Sequence, residues 1–180
     1  MPQSRPFSEV PTNASQHEPD SARSQRMVAL DVDVDGRECA VFRHFVGVHQ
    51  DAVVFYQTAI DTGRFPSLET ALDDLRGLHQ MMVEQLGLWL RSKSVAPDQY
   101  TVDETGDTAL FTELYYLLSA DNFPVPEVEA AEMNAMQMLD TAKEDDISPE
   151  AQEALAQMSS LFGAAYAYLD NIKSSTGALS

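Results

Sequence analysis

The stretch SPEAQEALAQMSSLFGAAYAYLDNI, residues 148–172, predicts a helix that packs against other helices. Ser148 is a favourable N-cap, and Pro149 suits the first helical position, where its missing N–H is not needed. The apolar residues that follow are spaced alternately three and four apart, which is the spacing of helices packed side by side near 20°. This C-terminal seam consists of Leu155, Met158, Phe162, Ala165, Leu169 and Ile172.

Upstream of the C-terminal seam, several segments also place apolar residues on one helical face. Gly63 is a plausible C-terminal cap for the first of them, and Pro66 followed by Ser67 suits the start of the second. Because each amphipathic helix must bury its apolar face, these segments predict a bundle of about five helices. The upstream segments are residues 49–62, 67–93, 108–119 and 126–143.

The segment DVDVDG, residues 31–36, has the alternating carboxylates and glycine with which a calcium-binding EF-hand loop begins. Such a loop needs an apolar residue at position 8 and a bidentate glutamate at position 12. Counted from Asp31, these positions hold Glu38 and Phe42, so the segment lacks the ligand that completes a calcium site. We predict no metal site here.

The same segment instead has the period of a β-strand. Apolar residues at positions 28, 30, 32 and 34 alternate with alanine and aspartate, and Asp35-Gly36 is a strong signal for a hairpin turn. Residues 37–46 would then form the returning strand. The predicted fold is therefore mostly α, with an N-terminal β-hairpin followed by the helical bundle.

The domain organisation follows from composition. Residues 1–26 are rich in Pro, Ser, Gln and Asn and have no apolar period, so we predict a disordered leader. Residues 27–175 would form a single helical domain with the N-terminal hairpin, and residues 176–180 a flexible C-terminus.

Strong acidity is the main compositional feature of the chain. It carries 29 acidic and 11 basic residues, a formal net charge of -18, which disfavours binding to nucleic acid or anionic membranes. Acidic residues concentrate between positions 121 and 153, where they form either a solvated helix face or a docking surface for a basic partner. The predicted acidic surface consists of Glu127, Glu129, Glu132, Asp140, Glu144, Asp145 and Asp146.

Methionine and tyrosine residues suggest a weaker, apolar part of the same surface. Methionine repacks around varied partners, although ordinary core packing explains most of these residues equally well. The predicted apolar contacts are Met133, Met136, Tyr166 and Tyr168.

Motifs for catalysis, metals and cofactors are absent from the sequence. Cys39 is the single cysteine, so neither an internal disulfide nor a cysteine-based zinc site can form, and its separation from His44 suits no catalytic dyad. There is no GxSxG, HExxH, Glu-x-x-His or phosphate-binding glycine loop, and the histidines suit structural or surface roles. We predict no catalytic residue, no metal and no cofactor.

These observations favour a non-enzymatic, acidic protein–protein interaction module. It would act as an adaptor, inhibitor or assembly chaperone that docks a basic or amphipathic partner. The first alternative is a nucleic-acid mimic that inhibits a DNA-binding protein. The second is a small enzyme using loop residues Tyr100, Asp103, Glu104 and Asp107.

The sequence has neither a membrane-spanning apolar stretch nor the apolar segment of a signal peptide, so the expected compartment is the cytoplasm. A homo-oligomer formed through the C-terminal seam stays open.

Overall fold

The computed structural model describes the backbone of residues 20–97, 110–144 and 146–177, and the side chains of these residues from position 36 to position 174. The chain divides into two compact units, Met1–Val32 and Asp33–Ser180. The core and the sites described below belong to the second unit.

The second unit is a helical bundle, as the sequence predicts. A single 3₁₀ turn, Pro66–Leu68, leads into the second α-helix, and a longer 3₁₀ segment, Thr112–Ser119, comes before the third. Within the described ranges no residue belongs to a β-strand. The α-helices are α1 (Asp20–Asp61), α2 (Glu69–Ser92), α3 (Val125–Glu144) and α4 (Pro149–Gly177).

The predicted N-terminal β-hairpin is wrong, because α1 runs without a break through both of its strands and through Gly36. A helical repeat, with spacings of four and three, extends along α1 from Glu38 to Ala59. Every member of this repeat is buried, and burying a complete helix face outweighs the short alternating pattern before it. The members are Glu38, Phe42, Phe45, His49, Ala52, Tyr56 and Ala59.

The predicted ends of the helices are right in part. Gly63 ends α1 with a φ of 61°, and its N–H donates to the Ile60 carbonyl at 3.0 Å. Ser148 caps α4 as predicted, since its Oγ accepts the Ala151 N–H at 3.2 Å. Ser67 does not cap α2, because that helix begins after Leu68 and has no side-chain cap.

Among the described residues, the core lies between α1, α2, α3 and α4. All six residues of the C-terminal seam are buried within the chain, where α4 packs against α2 and α3. Phe42 of α1 stacks on Trp89 of α2 with ring centroids 3.6 Å apart, which joins those two helices.

Asp51 of α1 holds the start of the 3₁₀ segment in place. Its Oδ2 accepts the N–H groups of Phe111 and Thr112 at 2.8 and 2.9 Å. These bonds satisfy N–H groups that a helix start leaves unpaired, and they fix the position of Leu110, which borders the groove described next.

Candidate functional site

A groove runs between α1 and α3, with a volume of about 750 Å³. Its polar lining comes from His44 of α1 and from Asn134, Gln137 and Thr141 of α3. Its apolar lining consists of Ala40, Val41, Phe45, Leu110, Met138 and Ala142.

A second hollow of about 330 Å³ continues this groove toward the start of α3. Leu110 and Asn134 line both hollows, so we treat them as one surface and call it the α1–α3 groove. Glu113 and Glu127 line the second hollow, and both side chains are exposed. One end of an apolar groove therefore carries two carboxylates.

The exposed members of the predicted acidic surface lie at both ends of α3. Glu127 is in its first turn and borders the groove. Asp140 and Glu144 are in its last turns, and Asp146 follows the helix. Asp140 forms an ion pair with Lys143 at 2.6 Å, so part of its charge is already balanced within the chain.

The other predicted acidic residues differ in their placement. Glu129 is partly buried and pairs with Lys173 of α4 at 2.6 Å. Glu132 is fully buried and points into the core, so it does not contribute to an exposed acidic face. Asp145 lies outside the described residues.

The predicted apolar contacts do not line the groove. Met133 is exposed, whereas Met136 and Tyr168 are partly buried and pack against the core. Tyr166 is also partly buried, and its hydroxyl has no hydrogen-bond partner. The apolar lining comes from other residues of α1 and α3, which the composition does not single out.

Beneath the surface, four polar side chains form a hydrogen-bonded chain that we call the buried cluster: His49 and Tyr56 of α1, His79 of α2 and Glu132 of α3. His49 Nδ1 lies 3.0 Å from His79 Nδ1, and His79 Nε2 lies 2.8 Å from Glu132 Oε1. The Tyr56 hydroxyl donates to the same Glu132 oxygen at 2.6 Å. All four side chains have no exposed surface, so the cluster joins three helices from within.

Burial sets the electrostatics of this cluster. It lowers the pKa of His49 well below its ordinary value, and the neighbouring His79 adds to that effect. It also raises the pKa of Tyr56 well above its ordinary value, with a further contribution from the Glu132 carboxylate. Both shifts favour the uncharged forms of these two side chains.

The buried cluster is incompletely satisfied and enclosed by aromatic rings. His49 Nε2 and Glu132 Oε2 are buried and have no hydrogen-bond partner. Phe162 of α4 and Phe111 lie within 5.5 Å and 5.8 Å of the imidazoles of His49 and His79, measured between ring centroids. No side chain of the cluster is exposed to solvent in this conformation.

The sequence contains a signal for this cluster that motif spacing and charge density miss. His49, His79 and Glu132 each occupy a position on the buried stripe of an otherwise amphipathic helix. A polar residue at such a position must find a buried partner, because burial without a hydrogen bond is costly. Motif spacing alone predicts structural or surface roles for the histidines, and charge density alone places Glu132 on the acidic surface.

The residues of the alternative enzyme site, at positions 100, 103, 104 and 107, lie outside the described ranges. Across the part of the chain that is described, no three His, Cys, Asp or Glu side chains are grouped to hold a metal ion. In that same part, no helix combines the length and apolar character that crossing a membrane requires.

Comparison with family models, curated proteins and solved structures finds no match to this chain.

Proposed function

We propose that the protein is a non-enzymatic interaction module that binds a basic, amphipathic segment of a partner protein in the α1–α3 groove. The observation that carries the proposal is the apolar lining of this groove beside the exposed carboxylates of Glu113 and Glu127. The partner segment would place its apolar side chains in the groove and its Lys or Arg side chains at the acidic end. Adaptor, inhibitor and assembly chaperone are the roles that suit such binding.

The shape of the groove supports an inserted helix or extended segment. An amphipathic helix binds a groove through side chains at positions i, i+3, i+4 and i+7, which project from one face. The groove follows α3 from Glu127 to Ala142, a distance of about 22 Å at 1.5 Å per residue. About 15 residues of a partner helix would span that length, and they would place four or five apolar side chains along it.

Charge complementarity supports a basic partner. With a net charge of -18, the protein attracts a basic segment over a distance set by the ionic strength. Exposed ion pairs contribute at most about 1 kcal/mol each, so apolar contact would supply most of the affinity. The carboxylates would mainly increase the association rate and exclude acidic partners.

The test uses a model peptide of about 16 residues, with leucines at i, i+3, i+4 and i+7 and lysines at most other positions. Fluorescence anisotropy would measure its binding at about 50 and 300 mM salt. We expect binding at both salt concentrations, with slower association at the higher one. A peptide with glutamates in place of the lysines, and a basic peptide with the leucines scattered, should bind at least tenfold more weakly.

A pair of matched variants locates the binding site. Ala40 is exposed and lines the groove, so Ala40→Trp fills the groove without disturbing the core. Ala156 is exposed on α4, and Ala156→Trp makes the same change on a different helix. We expect the first variant to weaken binding of the basic peptide tenfold or more and the second to leave it unchanged. Equal affinities for both variants would contradict the proposal.

The nucleic-acid mimic makes a different prediction in the same assay. Its binding would depend on charge alone, so scattering the leucines would have no effect and 300 mM salt would abolish it.

We propose the cytoplasm as the compartment of the protein. A homo-oligomer would need a surface other than the C-terminal seam, because the chain buries that seam itself.

A further inference from the structure

The His49–His79 contact restricts how many protons the buried cluster can hold. The two Nδ1 atoms are 3.0 Å apart, a distance that requires one of them to donate and the other to accept. Glu132 Oε1 accepts hydrogen bonds from both Tyr56 and His79, as a carboxylate oxygen does. His79 therefore carries its proton on Nε2, and the two Nδ1 atoms share one further proton.

One additional proton can enter without breaking this chain. If it binds His49 Nε2, which has no hydrogen-bond partner, the shared proton can move to the other Nδ1 and the contact persists. A further proton cannot be accommodated. Both Nδ1 atoms would then carry hydrogen, so the hydrogen bond between them is lost and two positive charges face each other at 3.0 Å.

We propose that the buried cluster is an acid-sensitive switch, in which full protonation of the His49–His79 pair separates α1 from α2. Protonation of a buried imidazole pair is a recognised way for a protein to respond to mildly acidic conditions. This inference does not depend on the α1–α3 groove or on any partner.

The groups around the pair favour a response at acidic pH. On α1 the neighbouring titratable group is Tyr56, and on α3 it is Glu132, which compensates one imidazolium but not two. On α4 the ring of Phe162 lies against His49, and the pKa of Tyr166 is raised by burial and then by Glu132. Phe111, which precedes the 3₁₀ segment, contributes an uncharged ring.

The sign of the pH dependence follows from linkage. A buried His49 that resists protonation has a pKa below that of the unfolded chain, which is about 6.5. Stability from this residue is complete above about pH 6.5 and is lost as the pH falls, because the unfolded chain then binds one more proton. The contribution of His49 should therefore raise the unfolding equilibrium constant about tenfold for each pH unit below about 6.5, as long as His49 stays neutral in the folded protein.

The test compares the full-length wild-type protein with His49→Gln by urea unfolding between pH 5 and pH 8. Glutamine can still donate to His79 Nδ1 but does not titrate. We expect the wild-type unfolding constant, relative to that of the variant, to be about 30-fold larger at pH 5.0 than at pH 8.0.

A second measurement uses only the wild-type protein, so it tests the proposal even if His49→Gln does not fold. Imidazole ¹⁵N shifts should show His49 neutral throughout the pH range in which the amides of α1 near it remain protected from hydrogen exchange. Protonation and loss of protection should occur together. Parallel pH profiles for the wild type and His49→Gln would overturn the proposal, and so would a His49 that carries hydrogen on both ring nitrogens while α1 stays protected.

Discussion

Replacement of Glu132 by alanine should reveal how strongly the buried cluster contributes to stability. The change removes the acceptor of two buried donors, the Tyr56 hydroxyl at 2.6 Å and His79 Nε2 at 2.8 Å. Each donor left without a partner costs about 1–3 kcal/mol, so the two together cost about 2–6 kcal/mol. The variant no longer bears the cost of burying the Glu132 carboxylate, and this offsets part of the lost stability. We therefore expect the free energy of unfolding to fall by about 4 kcal/mol.

That loss is a large fraction of the about 5–15 kcal/mol by which a domain is stable. With a urea m-value of about 2 kcal/mol/M, the unfolding midpoint should move down by about 2 M. Helical circular dichroism during a urea titration at pH 7.5 would measure it.

Two further variants separate the hydrogen bonds from the volume of the side chain. Glu132→Gln keeps an oxygen for both donors but places an amide where Oε2 is buried without a partner, so it should cost about 1–2 kcal/mol. Glu129→Ala is the matched control on the same helix. It removes a partly exposed ion pair with Lys173 and should cost less than about 1 kcal/mol. A Glu132→Ala protein within about 1 kcal/mol of the wild type would refute our account of the cluster.

Three other predictions follow from the fold and can be checked by urea unfolding. Gly36→Ala should stabilise the protein by about 0.5–1 kcal/mol, because Gly36 lies in a helix with open space where a Cβ would be; in a hairpin turn the same change would destabilise it. Glu38→Ala should lower the free energy of unfolding by about 1–3 kcal/mol, because buried Glu38 accepts the Ser148 N–H at the start of α4. The control Glu150→Ala, on the exposed first turn of α4, should lower it by less than about 0.5 kcal/mol. Tyr56→Phe should be less sensitive to alkali. Burial, with a further contribution from Glu132, raises the pKa of Tyr56, so its contribution to stability is complete below about pH 10 and is lost as the pH rises through the folded pKa. Parallel profiles above pH 10 would contradict the burial of this hydroxyl beside Glu132.

Helix α4 could be predicted from the sequence because all its signals are local. The Ser148 cap, Pro149 and the C-terminal seam lie within 25 consecutive residues, and the structure places the cap and the whole seam as expected. In α4 the capping residues and the spacing of the apolar residues indicate the same helix. Such agreement allows a segment to be predicted without knowledge of the helices that pack against it.

Helix α1 is mispredicted because its two local signals disagree. The aspartates before Gly36 alternate with apolar residues in the manner of a strand, whereas the residues after it repeat at helical spacing. Glu38 and His49 interrupt that repeat with polar side chains, so it does not stand out as an apolar stripe. Packing of the complete face in the bundle decides the outcome, and no single segment contains that information.

The buried cluster depends on contacts between distant positions. Its hydrogen bonds join residues 30, 53 and 76 positions apart. High local charge density predicts an acidic surface along α3, but it cannot distinguish inward Glu132 from outward Glu127. Which of the two glutamates faces the core depends on how α3 is rotated about its own axis. The helices that pack against α3 set that rotation.

Shared dependence of His49, His79 and Glu132 also constrains how this sequence can evolve. Replacement of any one of them by an apolar residue leaves the others buried without their hydrogen-bond partner, while replacement of all three by apolar residues could restore a well-packed core. Intermediates on that route would be poorly folded, so single apolar substitutions are disfavoured. Homologous proteins should therefore retain all three residues or lack all three. Covariation of the three positions in an alignment would reveal this dependence.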